Sequence, residues 1–500
     1  MANNDTIPPQ SSAAPQQTPV PQAPLSQIQT SVPQPLPIQP SPAQSTPAQA
    51  PAGTPPTQNA SSSSTRALPK LPKLPILKIV IGIVIFLVII FLVTLFLPKG
   101  QEEKVTLNWW GLWEDPQIVE PIIAGYEKEH PNVDVVYSKQ DPNQYRERVV
   151  VRSDQGNGPD IFLFHNTWYP MLSGLLVPLP TDVITQEAFQ KTYYPVMQED
   201  LIQNGAIYGI PFAADSLSLF VNTELLAAAG EPVPTTWEDF VGVARRLTVK
   251  EEDGTIRTAG AALGTYGNVT HAPDIISLLF LQQGIMMNQF GSSPQDEGDA
   301  LDFYVSFAKG DQAIWNGDLP QSVVFFSQGK LAFYFGYSWD IFTIQRLNKD
   351  LQFTIHPVPS LFDRNTTVAS YWVTGISNRS ANQQEALAFL AYLAQKETVQ
   401  KLYTEAAKTR PFGQLYPRVD LAESLKANTL IYPFVNQLKN ARSSFFVSDT
   451  GDGSTGLNSV SNRYLENAVN GIITDGSSTQ TVVETLNQGI AQVFAQYGIQ

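Results

Sequence analysis

Nineteen consecutive residues, Ile79 to Leu97, carry no charge: IVIGIVIFLVIIFLVTLFL. As a helix the run reaches about 28 Å, enough to cross the hydrocarbon core of a bilayer. No face of it is polar, so an ordinary amphipathic core helix does not account for it. It starts too late and is too long for a cleaved leader, and the FLPKGQEEK that follows has no small-x-small cleavage site. One transmembrane anchor in the lipid bilayer is therefore expected, and it divides the chain into parts that fold in different compartments. Arg66, Lys70, Lys73 and Lys78 precede the run, whereas Lys99 and Lys104 follow it with Glu102 and Glu103 between them. That basic excess puts the N-terminus in the cytoplasm and everything after Lys99 outside the cell membrane.

The two parts differ in composition. Eighteen of the 39 prolines lie in residues 1–75, a stretch with one acidic residue, Asp5, and no basic residue before Arg66. Rich in Pro, Gln, Ser and Ala, it has little to bury and is expected to be a disordered spacer of polyproline character. Residues 1–100 sum to +4 and the remaining 400 to −18. An acidic exported part argues against nucleic acid, which needs clustered Lys and Arg. There is no cysteine, which removes disulfides, thiolate metal sites, thiol catalysis and a lipidated N-terminal Cys.

After the anchor, Val105 to Trp110 has strand character and Pro116 through Glu129 has helical spacing. HPNVDVVYSK reads as a turn and a second strand, YRERVVVRSDQGNG as a helix ending in a Gly-rich loop, and PDIFLFH as a buried strand. Alternating strands and helices imply a parallel sheet with helices on its faces. Ligands of such sheets sit outside the carboxyl ends of the strands, so the loops WGLWED and HNTWYP are expected to open into one crevice. Three of the eight tryptophans, Trp109, Trp110 and Trp113, fall at the first of these loops. Trp109 is expected in the core. Trp110, Trp113, Glu114, His165, Asn166 and Trp168 are candidate ligand contacts. Farther on, KEEDGTIRTAG signals a hairpin, TTWEDFVGVARRLTV a capped helix, GKLAFYFGYSWD a strand ending at a turn with Trp339, and YWVTGISN a strand that starts with Tyr371 and Trp372.

The order of these motifs resembles that of the extracellular solute-binding proteins of family 1, the sugar-binding subunits of ABC importers. The stretches that carry the likeness are EKEHPNVDV, GNGPDIFLF, GLLVPLP, IYGIPFAADSLSLFVNTELLAAAG, PTTWEDF, FFSQGKLAFYFGYSW and YWVTGISNRSANQQEALAFLAYL, and they cover residues 105–500 in order. The resemblance implies an α/β fold of the two-lobed, type II periplasmic-binding-protein kind. Lobe one would take residues 105–213 and 355–395, and lobe two 214–354 and 396–500. The hinge strands would lie near FAADS and FTIHPVP. It also implies a carbohydrate held between the lobes, an ABC permease as partner, and no cofactor or metal. Relatives attach through a lipidated Cys or are free in the periplasm; this chain has a membrane helix instead.

Sugars offer hydroxyls at the ring edge and C–H patches on the face, so flat aromatic rings and polar side chains grip them together. The resemblance places a stacking aromatic at Trp339 and a hydroxyl-binding acid at Asp215. Tyr371, Trp372 and Arg410 in TRPFG complete the candidate set. SDTGDGSTG has its acids three apart and is expected to be a mobile loop rather than a calcium site. Two rivals stay open. A glycan-processing enzyme would need two carboxylates, and Glu114, Asp115 and Asp215 are available, although HExxH and GxSxG are absent. A sugar-sensing surface receptor would also suit an anchor with a cytoplasmic tail.

Overall fold

The computed structural model of the chain describes residues 81–89 and 104–499. The described residues fall into two units, one within residues 1–94 and one within residues 95–500. In the first, residues 81–89 are helical and exposed along their length. The rest of the apolar run and the proline-rich tail lie outside the described residues. Among the described residues no helix is long and apolar enough to cross a membrane.

The second unit has two layered α/β lobes. In the first lobe, strands Val105–Gly111, Val133–Lys139 and Ile161–His165 pair in parallel, with Val105–Gly111 in the middle. The strand Trp372–Ile376 then adds antiparallel beside Ile161–His165, and Ile210–Pro211 closes the edge. The first helix, Pro116–Glu129, starts at a proline and buries Ile118, Val119, Ile122, Ile123 and Tyr126, the face that its apolar spacing marks out. Gly111, at the end of the central strand, leaves room for the Tyr137 ring, which a Cβ there would push aside. That clearance lets the Tyr137 phenol cross over and donate to the Glu114 carbonyl at 2.7 Å, which pins the loop after the strand.

The second sheet has the order Phe353–His356, Ser218–Asn222, Leu331–Gly336, Ile256–Ala261 and Val249–Lys250. Leu331–Gly336 is buried along its whole length. The expected hairpin joins Val249–Lys250 to Ile256–Ala261, and Thr236 caps the helix Trp237–Leu247 by accepting from Asp239 N.

A third, small sheet joins the lobes. Thr367–Ser370 is its centre, flanked by Asp215–Ser216 and Ala441–Arg442. The chain thus crosses near FAADS, where the sequence placed a hinge strand. The other expected hinge strand lies elsewhere: Phe353–His356 belongs to the second sheet, paired with Ser218–Asn222. Its apolar pattern marks a strand but cannot say which edge takes it. Lys396–Ala406, expected with lobe two, packs on the first lobe instead, where Lys401 Nζ donates to the Pro121 carbonyl at 2.7 Å.

Candidate functional site

Trp372 stands opposite His165 in the antiparallel pair, so the start of one strand meets the end of the other. Its indole makes edge contacts with Trp113 at 5.4 Å, with Trp168 at 5.3 Å and with the His165 ring at 5.4 Å. The loops after the first and third parallel strands therefore meet, joined by a ring that neither loop carries. Trp113 is 39% exposed and forms the open end of the cluster, while Trp168 is fully buried. Trp109 is a core residue, edge-on to Tyr137 and Phe389. Trp110 lies on the opposite face of the strand, half-buried against the core.

Besides Trp168, whose full burial takes it out of reach of a ligand, three more of the expected contacts are turned inward. His165 is fully buried, with Nδ1 at 2.8 Å from Thr167 Oγ1 and Nε2 at 3.1 Å from Ser370 Oγ. Burial lowers its pKa to about 3, so the ring is neutral. It ties the third strand to the hinge sheet. Asn166 donates to Ser443 Oγ at 2.8 Å and to Asp200 Oδ2 at 3.2 Å. The Tyr371 hydroxyl donates to the same Asp200 oxygen at 2.5 Å. Burial pushes the Asp200 carboxyl up to about 6, against the hydrogen bonds from Ser443, Tyr371 and Asn166. Sequence reasoning missed Asp200. The available signal was its position three and four residues after Met197 and Val196, on the buried face of the helix Pro195–Leu201.

On the second lobe Trp339 stacks on Tyr337, ring centroids 4.4 Å apart and planes at 14°. It is half-buried. Tyr337 is fixed from below, its hydroxyl donating to Asp274 Oδ1 at 2.7 Å. Beside it His271 Nε2 lies 2.8 Å from Asp340 Oδ2, and its Nδ1 lies 2.8 Å from Ser448 Oγ. Burial on its own lowers the His271 pKa, but Asp340, Asp274 and Asp449 overcome it and hold the imidazolium to about 9. The folded pKa thus exceeds the unfolded one. The stabilisation is complete below about 6.5, the unfolded histidine value, and is lost as pH rises through about 9. At 1.36 kcal/mol per unit this comes to about 3 kcal/mol. Urea unfolding midpoints of the full chain should fall from pH 7 to pH 9 (roughly the window set by these values), and His271→Gln should flatten that fall. Equal slopes in the two proteins would refute the assignment.

Asp215 sits at the crossover with both carboxylate oxygens engaged. Oδ1 accepts from Ser216 N at 2.8 Å; Oδ2 accepts from Ser338 N at 2.9 Å and from the Ser338 hydroxyl. Burial raises its pKa to about 7, against the bonds from Ser338 and Ser216. The residue therefore links the hinge strand to the turn that carries Trp339.

Arg410 bridges the loop after the first strand and the helix that follows Trp339. Its Nη2 donates to Glu114 Oε1 at 2.7 Å, and Gln414 donates to the same oxygen at 2.7 Å. The Arg410 guanidinium lies 5.9 Å from the Phe342 ring centroid, and Phe342 stacks on Phe412 at 4.7 Å. Phe342 belongs to the helix Asp340–Leu347, which begins directly after Trp339. One end of the Arg410 loop thus holds the Trp113–Glu114 turn and the other holds the first turn after Trp339. Of the tryptophans on the second lobe, Trp237 and Trp315 are core residues. In SDTGDGSTG, Asp452 is fully buried and accepts from Asn458 N at 2.7 Å at the start of the helix Leu457–Ile473. Among the described residues no group of acids and histidines is arranged to hold a metal.

Comparison with known proteins bears on this arrangement. The model of the family described as bacterial extracellular solute-binding protein matches residues 111–400. An osmoprotective compounds-binding protein of Synechocystis sp. is 29% identical over 161 residues, which are 30% of this chain and 37% of that protein. A maltotriose-binding protein of Pyrococcus abyssi is 26% identical over 132 residues, 26% of this chain and 27% of that protein. The chain thus matches about a third of the length of these curated relatives. Among solved structures, a cyclo/maltodextrin-binding protein complexed with maltotetraose superposes with a TM-score of 0.63 at 16% identity, over 79% of this chain and 99% of the other. The sugar-binding protein MalE of Xanthomonas citri gives 0.61 at 19% identity, over 78% and 98%. At such identities the likeness is one of fold.

Proposed function

Because the chain belongs to the bacterial extracellular solute-binding protein family, we propose that it captures a carbohydrate, an oligosaccharide, between its lobes and passes it to an ABC permease. The observation that carries this reading is the meeting of the Trp113, Trp372 and Trp168 rings on one lobe, joined through Arg410 to Phe342 on the helix that follows the Trp339 platform of the other. Indole faces cover the C–H patches of sugar rings, and a partly exposed ring on each side of a cleft gives a ligand something to touch on both lobes. A ligand that contacts both lobes favours the closed arrangement by its differential affinity. The names of the relatives, a maltotriose-binding protein and a protein complexed with maltotetraose, agree with this substrate class.

No chemistry is needed. The family and its structural neighbours are binding proteins rather than enzymes. Glu114 and Asp215 are tied to Arg410, Gln414, Ser338 and Ser216, not left facing each other across a bond. The uncharged run 79–97 anchors the protein as a single span with its N-terminus in the cytoplasm and its lobes outside.

Calorimetry tests the proposal. The full chain in lipid nanodiscs is titrated with glucose, maltose, maltotriose, maltotetraose and mannotriose. A saturable heat with at least one of them, with no product released, is expected. Absence of binding across the panel sinks the carbohydrate reading, and turnover sinks the non-enzymatic one. Protease digestion of intact cells checks the anchor: the lobes should be cut while the first 75 residues stay protected.

A further inference from the structure

Three buried polar atoms have no hydrogen-bond partner among the described residues, and their residues line one cavity: Trp109 Nε1, Thr374 Oγ1 and Glu114 Oε2. The cavity is small, with about 60 Å³ of room for the centres of water-sized groups. Trp109 belongs to the central strand of the first sheet, and Thr374 shares a face of its strand with Trp372, two residues earlier. Ile122 and Leu402 contribute aliphatic wall, and the exposed Trp113 also lines the space. It therefore reaches inward from the aromatic cluster toward the helices of the first lobe.

Native interiors rarely leave buried donors and acceptors unpaired. Here an indole donor, a carboxylate acceptor and a hydroxyl of either role surround one largely apolar space. Glu114 already has a cation: Arg410 and Gln414 both donate to Oε1. A second positive charge is not required at Oε2, but a neutral donor is. A hydroxyl suits this set, because it can both donate to a carboxylate oxygen and accept from an indole N–H. The aliphatic walls require that hydroxyl to arrive on a C–H-rich stem.

We propose that this cavity is a side pocket of the cleft which takes a hydroxyl carried on an apolar stem, such as the hydroxymethyl arm of a terminal sugar, and so selects the end of the ligand. This rests on the carbohydrate reading above.

The full chain in nanodiscs, labelled with 5-fluorotryptophan, supplies the test. Its eight tryptophans give separate fluorine resonances, and Trp109→Phe identifies one of them. Cyclohexanol, one hydroxyl on an apolar ring, should shift the Trp109 resonance saturably, whereas glycerol should not. Thr374→Val and Glu114→Gln should each weaken the cyclohexanol response by about threefold or more. Ile122→Phe, which fills the space, is an independent check that should abolish it. An unmoved Trp109 resonance, or equal shifts with cyclohexanol and glycerol, means ordered water only and overturns the proposal. This readout needs no sugar, so it stands apart from the calorimetric panel. With the panel's tightest sugar, saturating cyclohexanol should reduce affinity by about threefold or more. Unchanged affinity overturns the side-pocket assignment while leaving carbohydrate capture intact.

Discussion

Asp215→Ala should lower the unfolding free energy by about 2–3 kcal/mol, and by more at pH 5 than at pH 8. The carboxylate accepts from the backbone N–H groups of Ser216 and Ser338 and from the Ser338 hydroxyl, all buried. Removing it leaves those donors unpaired, each at a cost of about 1–3 kcal/mol. Part of that cost is offset by relief of the buried carboxylate itself. Its pKa, raised to about 7, means that the folded chain keeps a proton that the unfolded chain releases above about 4. The contribution of Asp215 to stability therefore declines as pH rises through that interval, and the variant loses less on the alkaline side. Asp215→Asn keeps one acceptor and no charge, and should sit within about 1 kcal/mol of the parent at pH 8. Urea midpoints of the three proteins at the two pH values decide it. A loss that does not vary with pH would mean that burial does not hold the carboxyl's pKa above its ordinary value.

Trp339→Ala should weaken the tightest sugar about 30-fold, about 2 kcal/mol, the scale of a tryptophan at the centre of a binding surface. The unfolding midpoint should move little by comparison, because the ring is half-buried and rests on Tyr337 rather than filling the core. Trp339→Phe should recover most of the affinity, since a flat ring remains to cover the sugar face. Calorimetry against the same panel separates the outcomes. If the alanine variant binds as tightly as the parent, the ligand does not use this platform, and the cleft's grip has to be sought on the Trp113 side alone.

Several parts of this picture are legible in order along the chain. Apolar spacing places the helix Pro116–Glu129, Thr235 or Thr236 announces a cap for Trp237–Leu247, which Thr236 supplies, and FAADS marks a crossover. The parallel arrangement predicts that the loops carrying Trp113 and Trp168 approach each other, and they do so through Trp372. What sequence reasoning could not reach is the direction in which a polar side chain is satisfied. His165 and Asn166 stand beyond a strand end, where ligand contacts are expected, yet their partners Ser370 and Ser443 are some 200 residues or more away in sequence. Glu114 and Arg410 looked like separate candidates and are one ion pair, at 2.7 Å.

By itself the sequence determined the things that depend on near neighbours and composition: an uncharged run, the periodicity of strands and helices, the parallel crossover order, and a poverty of basic charge and cysteine in the exported part. These follow from rise per residue, alternation and burial, which act over a turn or two of chain. Only the tertiary structure decided which edge took Phe353–His356, which carboxylates were spent on internal bonds, and which indole became the bridge between two loops. Those outcomes depend on groups far apart in the chain competing for the same buried donors and the same apolar contacts, and such a competition has no local signature.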